Sequence, residues 1–261
     1  MNANIHPMSV VSSDAEIGEN VVIGPFCVVE GNSRIGDGTV LRSHVVVGPN
    51  TEIGEDNDIF PHATLGMQCQ DIGYKGELTR LIIGSRNIIR ESCTFHRGTA
   101  KGGGVTKVGD DNFIMTGVHI AHDCMVGSKI IMANCATLAG HVEVGDGVNV
   151  GGFSGVHQFA RIGDHAFMGG FTTASMDVLP YMKTAGTREA RSYGVNTIGL
   201  RRKGFSEETI KALQRAHRIL FGMKLLRDEA MKMVDSELGN IPEVAYLLDF
   251  IRKSRRGIIR G

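Results

Sequence analysis

The chain of 261 residues contains no tryptophan, only 6% aromatic residues and no net charge, since 28 basic side chains balance 28 acidic ones. Without a basic stretch interleaved with aromatic residues, nothing indicates a nucleic-acid partner. There is no long apolar run and no charged and apolar leader, which argues against membrane insertion and against export. We therefore expect a soluble cytoplasmic protein.

Glycine is abundant, with 35 residues, and it accompanies a six-residue repeat. An apolar residue falls at every sixth position from Ile5 to Leu65, and after an interruption the same spacing runs from Val108 to Ala174. This period matches neither the turn of a helix nor plain alternation along a strand. It is typical of short strands joined by tight corners, three to a coil, with glycines such as Gly36 relieving the corners. Residues 1–195 are therefore predicted to form an all-β solenoid, a parallel β-helix of hexapeptide repeats.

The end of the chain has a different pattern. Ser206 is a plausible N-cap of a helix, Glu207 and Glu208 fit its first turn, and Pro242 can open a last helix. A solenoid needs its ends protected, so residues 196–261 are predicted to form an α-helical cap.

Five cysteines is an odd number, which argues against a disulfide framework. Cys27, Cys93 and Cys124 occupy the small interior position of the repeat. They are therefore predicted to be core residues in a reducing compartment.

Two interruptions of the repeat, at about residues 67–81 and 97–107, must loop outwards, and loops on a rigid scaffold commonly carry functional sites. The second loop contains the run Gly102-Gly103-Gly104, but no strand-to-helix context follows that would favour a phosphate-binding loop. We expect a flexible loop.

Histidines gather on one edge of the predicted solenoid. Because a coil of three six-residue steps takes 18 residues, positions 18 apart stack about 4.8 Å from each other. Two neighbouring columns result, with His119 and His157 beside them: His122, Gly140 and Gln158 in one, and Asp123, His141 and Phe159 in the other.

Two chemistries fit this cluster. In the first, His122 is a general base oriented by Asp123, and the Gly140 backbone N–H receives an oxyanion. In the second, His119, His122 and His141 bind zinc and leave a fourth position open for water. The basic flanking residues suit a phosphorylated substrate, which favours the first chemistry and no bound metal.

Several motifs resemble the UDP-N-acetylglucosamine O-acyltransferases that begin lipid A synthesis. They extend in order over nearly the whole chain: Gln70-Asp71, Ile89 to Ser92, His96 to Thr99, His119 to Cys124, Leu138 to Val142, Val156 to Phe159, Gly194 to Asn196 and Leu200 to Phe205. The resemblance implies a left-handed parallel β-helix, assembled as a homotrimer with active sites between subunits. It also implies transfer of an (R)-3-hydroxyacyl group from acyl carrier protein to the 3-OH of UDP-GlcNAc, without a cofactor.

The same resemblance implies a role for each matching residue. His122 matches the catalytic base, Gly140 the oxyanion donor, and Gly170 the position that gauges acyl length, where the lack of a side chain favours a long acyl chain. The remaining matches are substrate contacts: Asp71, His119, His141, His157, Gln158, Asn196, Arg202 and Lys203. The acidic carrier gives the basic residues near the C-terminus, such as Arg255 and Arg256, a docking role.

The chain departs from the family pattern at three positions. Many family members have a lysine two residues after the position of Asp71, where this chain has Gly73, and Lys75 follows two residues further on. A glutamate common in the family is replaced by Ile198. An arginine is replaced by Lys203, which cannot form a bidentate fork. A 3-amino analogue of the sugar nucleotide is therefore an alternative acceptor. A trimeric zinc hydratase of the same fold is the other alternative.

Overall fold

A computed structural model describes residues 3–187 and 189–261 and shows a three-sided prism of stacked coils with a helical cap. Each coil adds one short strand to each of three sheets, and the strands of successive coils pair in parallel. Asn4 pairs with Val22, and Val22 with Val40, so one coil takes the predicted 18 residues.

The strands fall into three sheets, named here by their order along a coil. Sheet 1 contains Asn4–Ile5, Val22–Ile23, Val40–Leu41, Asp58–Ile59, Ile88–Ile89, Phe113–Ile114, Ile131–Met132, Asn149–Val150 and Phe167–Met168, then Met182–Ala185 and Arg191–Val195. Sheet 2 contains Val10–Val11, Val28–Val29, Val46–Val47, Thr64–Met67, Thr94–His96, His119–Ile120, Thr137–Leu138, Gly155–Val156 and Thr173–Ala174. Sheet 3 contains Glu16–Ile17, Arg34–Ile35, Thr51–Ile53, Arg80–Ile83, Val105–Val108, Met125–Val126, Glu143–Val144 and Arg161–Ile162.

In most strands the second residue points into the prism and is buried, as the repeat predicts. In the first coil the corresponding residues are partly exposed, namely Ile5, Val11 and Ile17. Cys27, Cys93 and Cys124 are completely buried between these apolar residues, so their predicted core position is confirmed. Burial raises the pKa of the Cys124 thiol to about 12, which leaves it protonated and unreactive.

The glycines of the repeat lie at corners where successive coils approach each other closely. A Cβ on Gly36 would lie 2.6 Å from the carbonyl carbon of Gly54 in the next coil, so glycine permits the close approach of successive coils. Residues in the left-handed conformation at the corners are mostly not glycine, and His141 with a φ of 62° is one example. Gly36 therefore relieves its corner through its small size and not through a left-handed backbone.

Three corners join the sheets, and they are named by the sheets on either side. Both insertions leave the prism at corner 2–3, between Met67 and Arg80 and between His96 and Val105. Inside the neighbouring corner 3–1, three buried asparagines form a ladder across the interrupted coils. Asn87 donates from its backbone N–H to Asn57 Oδ1 over 2.9 Å, and the Asn112 N–H donates to Asn87 Oδ1 over 3.0 Å.

The hexapeptide coils end at Ala174, before the predicted boundary near residue 195. The chain then forms an antiparallel hairpin of Met182–Ala185 and Arg191–Val195, where the six-residue period no longer applies. The cap consists of helices α1 (Thr197–Arg202), α2 (Glu207–Gly222), α3 (Arg227–Leu238) and α4 (Pro242–Arg252).

Two predicted helix starts are confirmed, because the Ser206 side chain accepts from the Thr209 N–H and Pro242 occupies the first turn of α4. The short helix α1 precedes the predicted start at Ser206. Among the residues that the structure describes, no helix has the length and apolarity needed to cross a bilayer.

The last residues of the chain return to the prism. The Asp177 N–H donates to Gly257 O and the Ile259 N–H to Asp177 O, both over 2.9 Å. Arg161 bonds the buried Asp177 carboxylate at 3.0 Å and stacks on the Phe250 ring of α4. These contacts fix the segment after α4 beside corner 2–3.

Candidate active site

The histidine columns predicted from the 18-residue coil lie at corner 2–3. His122 Nδ1 is 2.8 Å from Asp123 Oδ2, and the Asp123 side chain is only 1% exposed. The Asp123 carboxylate also accepts from the Thr99 N–H at 2.8 Å and from Thr99 Oγ1 at 2.7 Å. Because a carboxylate bonded in this way accepts the Nδ1 proton, the neutral imidazole of His122 presents Nε2 as its free base.

Gly140 lies directly against the His122 ring. A Cβ on Gly140 would be 2.5 Å from His122 Cε1 and 2.8 Å from Nε2, so any side chain here would displace the imidazole. Within residues 3–187 and 189–261, the Gly140 N–H donates to no protein acceptor, although its carbonyl accepts from the Phe159 N–H. An unused N–H beside a base is suited to stabilise a developing oxyanion.

His141 completes the second column above Asp123. Its Nε2 lies 3.6 Å from Asp123 Oδ2, and its ring stacks on Phe159 with centroids 4.4 Å apart. Asp123 therefore faces two imidazoles, of which His122 has the shorter contact.

Two further histidines extend the site along sheet 2. His119 Nδ1 is 2.7 Å from Thr94 Oγ1, and the His96 ring meets the His119 ring edge-on with centroids 5.1 Å apart. Burial, followed by the neighbouring histidine charges, lowers the pKa of His96 to about 4 and also lowers the pKa of His119. The family resemblance includes His96 in a motif but implies no role for it. The pairing of Phe95 with Ile120, 25 residues apart, places His96 beside His119.

His157 and Gln158 are exposed and lie two coils beyond His122. The small residues Ala121 and Ala139 occupy the column between His96 and His157.

Other predicted site residues lie elsewhere on the same chain. Asn196 caps α1 through Gly199 and donates to His165 O at 3.3 Å, so its buried amide is already bonded. Lys203 Nζ donates to Gly147 O and is 3.3 Å from His165 Nδ1. Both side chains therefore belong to corner 3–1, and burial lowers the pKa of Lys203.

Three more predicted residues are spread over the surface. Asp71 lies in the first insertion, where Oδ1 accepts from the Gly73 N–H. Gly170 is exposed at corner 1–2, next to Phe171, and Arg202 is exposed at the end of α1. One chain thus brings together the histidines, Asp123, Gly140 and Gln158. It leaves Asn196 and Lys203 at corner 3–1, Gly170 at corner 1–2 and Arg202 on the cap.

A cleft of about 750 Å³ opens beside the histidine corner. Asp123, His141 and Phe159 line one side, and Lys253, Arg255 and Arg256 line the other. The return of the C-terminal segment to Asp177 thus brings a cluster of cations next to Asp123 and His141.

The predicted zinc ligands do not form a suitable set. In the part of the chain that the structure describes, the histidine and carboxylate atoms within 4.8 Å of one another come from His122, Asp123 and His141, without His119. Because Asp123 already accepts from Thr99 and His122, its oxygens have little capacity left for a metal ion.

Comparison with known proteins gives the class first. Residues 1–31 match a family model of bacterial transferase hexapeptide repeats, and residues 177–259 match the second domain of UDP-N-acetylglucosamine O-acyltransferase. The coils, the cap and the histidine corner therefore define a hexapeptide-repeat acyltransferase.

A Burkholderia mallei protein named acyl-(acyl-carrier-protein)–UDP-N-acetylglucosamine O-acyltransferase is 50% identical over 203 residues, which are 76% of this chain and 77% of that protein. The chain belongs to the UDP-N-acetylglucosamine O-acyltransferase family. Solved structures agree over nearly the whole length, and they confirm the left-handed parallel β-helix with its helical cap. The structure from Acinetobacter baumannii is 44% identical with a TM-score of 0.95, covering 98% of this chain and 99% of that one. The structure from Francisella novicida is 41% identical with a TM-score of 0.96, covering 98% and 94%.

Proposed function

We propose that the protein transfers an (R)-3-hydroxyacyl group from acyl carrier protein to the 3-OH of UDP-GlcNAc, the first step of lipid A biosynthesis. The observation that carries the proposal is the arrangement of His122 between Asp123 and Gly140. It combines an oriented base with an unused backbone N–H, as direct acyl transfer requires.

In the mechanism, His122 Nε2 accepts the proton of the 3-OH while this oxygen attacks the thioester carbonyl carbon. The C–O bond forms, and the Gly140 N–H donates to the oxyanion of the tetrahedral intermediate. The intermediate then expels the carrier thiolate, which takes the proton back from the His122 imidazolium. Asp123 stabilises that imidazolium, so no covalent acyl-enzyme is needed.

A homotrimer is part of this proposal. Exposed apolar side chains lie on sheet 1 and at corner 1–2, including Phe153 and Phe171, whose rings stack 5.2 Å apart. The outward residues of sheet 3 are mostly charged, so sheet 3 suits solvent. With corner 1–2 on a threefold axis, sheet 1 of one copy faces sheet 2 of the next. Corner 3–1 of one subunit, with Lys203 and Asn196, then lies beside the histidine corner of its neighbour.

The basic side of the cleft suits the acidic acyl carrier protein. Arg255 and Arg256 line the cleft with Lys253, and all three are exposed. A carrier bound to these cations would present its thioester near His122.

We also propose that catalysis needs no metal or other cofactor, since each step above uses a protein group. The chain has five free thiols, four of them buried, which suits a reducing cytoplasm.

The decisive test offers purified protein two acceptors, UDP-GlcNAc and its 3-amino analogue, with 3-hydroxyacyl carriers of several lengths. We expect turnover with UDP-GlcNAc and with long acyl chains, because Gly170 has no side chain to shorten an acyl groove.

His122→Ala should reduce turnover by about 10²- to 10⁴-fold or more, without unfolding the protein. His6→Ala, which removes an imidazole from the first coil, is the matched control and should retain activity. A folded His122→Ala protein with substantial activity would contradict the mechanism, and wild-type protein inactive on both acceptors would contradict the function.

A further inference from the structure

Opposite charges from the two insertions meet at Gly73. A Cβ on Gly73 would be 2.9 Å from Asp71 Oδ1 and 3.5 Å from Lys101 Nζ. The ammonium group of Lys101, which belongs to the second insertion, therefore borders the space that a side chain at position 73 would occupy. The small size of Gly73 leaves that space open to Lys101.

The backbone of Lys101 is connected to the candidate catalytic pair. Lys101 is the middle residue of a 3₁₀ turn, Ala100–Gly102, and the Thr99 Oγ1 that caps this turn accepts from the Gly102 N–H at 3.1 Å. Thr99 also bonds the Asp123 carboxylate. Gly102 packs so closely on Asp123 that a Cβ would collide with the carboxylate. The triple-glycine run, expected to be a flexible loop, thus packs against the site.

The Lys101 ammonium has no hydrogen-bond partner among the described residues. Backbone hydrogen bonds to the Glu77 carboxylate lower the pKa of Glu77, and the charge of Lys101 helps to lower it. The Lys101 side chain is exposed and, over the described residues, makes neither a hydrogen bond nor an ion pair with a short N–O distance. An ammonium group has three donors and no acceptor, whereas the neighbouring Asp71 carboxylate only accepts. A molecule rich in hydroxyl and phosphate oxygens can satisfy both groups at once.

We propose that Lys101 is a substrate-binding residue of the acyltransferase and donates a charge-assisted hydrogen bond to an oxygen of the bound sugar nucleotide. Asp71 accepts from a hydroxyl group of the same molecule, and Lys101 supplies from the second insertion the cation that Gly73 cannot supply from the first. This inference rests on the proposed function, because the ligand is the acyl acceptor.

The test compares steady-state kinetics of wild type with Lys101→Met, which keeps an unbranched apolar stem and removes the charge. We expect KM for UDP-GlcNAc to rise about 10- to 100-fold, the usual effect of losing one charged hydrogen bond. The turnover number, its pH profile and KM for the acyl carrier should stay close to the wild-type values. Lys101→Arg should retain most of the affinity, because it keeps the charge.

Two further variants separate binding from loop structure. Gly73→Lys in the Lys101→Met background returns a cation to the same space, and it should lower KM for UDP-GlcNAc again. Lys75→Met removes an exposed lysine from the same insertion and is the matched control, with unchanged KM.

An unchanged acceptor KM in Lys101→Met would overturn the inference while leaving the acyltransferase function intact. A rise in KM that comes with a lower unfolding temperature and a shifted pH profile, and that Gly73→Lys does not reverse, would also overturn it, because Lys101 would then only support the turn. Absence of acyl transfer by the wild-type protein would instead contradict the proposed function. Titration of wild type and Lys101→Met with UDP-GlcNAc and with UDP tells whether the bonded oxygen belongs to the sugar or to the diphosphate.

Discussion

His96 connects the histidine corner to the acid stability of the protein. His96 as a residue is 7% exposed, and its Nδ1 has no hydrogen-bond partner among the described residues. Burial lowers its pKa from 6.5 to about 4. Between these pH values the unfolded chain binds a proton at His96 that the folded chain does not. The contribution of His96 to stability is thus complete above about pH 6.5 and declines as the pH falls towards 4.

Replacement of His96 by asparagine removes this titration. We expect the unfolding temperature of His96→Asn to fall less steeply than that of wild type between pH 6.5 and pH 4, even if the variant is less stable at pH 7. Thermal unfolding followed by circular dichroism at several pH values measures both slopes. Parallel slopes would show that His96 is protonated as readily in the folded protein as in the unfolded chain.

At the residue scale, the 18-residue length of a coil was enough to predict that His122, Asp123 and Gly140 lie close together. The reason is that stacked coils convert a fixed spacing in sequence into a fixed distance in space. It could not identify Thr99, because the bond from Thr99 to Asp123 depends on the path of an insertion that has no period. The spacing also gives no sign that the Asp123 side chain is buried under the turn at residues 100–102.

Among the elements, the C-terminal segment after α4 has the clearest link to the donor substrate. The backbone bonds of Gly257 and Ile259 to Asp177 fix its position, while Arg255 and Arg256 remain exposed at the cleft. A helical cap was predictable from the pattern of apolar residues. The return of the chain to the prism was not, since it rests on backbone hydrogen bonds and on the burial of only two adjacent isoleucines, Ile258 and Ile259, which form no periodic pattern.

Reversal of both charges, with Arg255→Glu and Arg256→Glu, should raise KM for acyl carrier protein far more than KM for UDP-GlcNAc. The physical reason is repulsion between the new carboxylates and an acidic carrier, and the effect should shrink at high salt. Lys232→Glu, on α3 and outside this cleft, is the control for a general change in charge. Equal changes in the two KM values would indicate that the two arginines support the structure and do not bind the carrier.

At the scale of the whole molecule, the proposed substrate contacts lie on different corners of one prism, and assembly of several subunits accounts for this. In a trimer around corner 1–2, each site would combine the histidine corner of one subunit with Lys203 and Asn196 of the next. Phe153→Glu places three carboxylates near the axis and should convert the trimer into inactive monomers of 28.1 kDa with an intact fold.

Sedimentation velocity together with the acyl-transfer assay checks this prediction. Arg34→Glu, an outward charge change on sheet 3, should leave assembly and activity unchanged. A fully active monomer of either the wild type or Phe153→Glu would mean that the separate corners do not need to meet.

The buried asparagine ladder at corner 3–1 has a consequence for how such a protein can vary. Hydrogen bonds among Asn57, Asn87 and Asn112 link successive coils at sequence separations of 30 and 25 residues, whereas an uninterrupted coil takes 18 residues. Each of these hydrogen bonds restores the alignment of the backbone after an insertion, so the length of the insertion has no effect on the coils that follow. Segments at corner 2–3 could therefore be exchanged for shorter or longer ones, altering what the protein recognises while its framework stays in place.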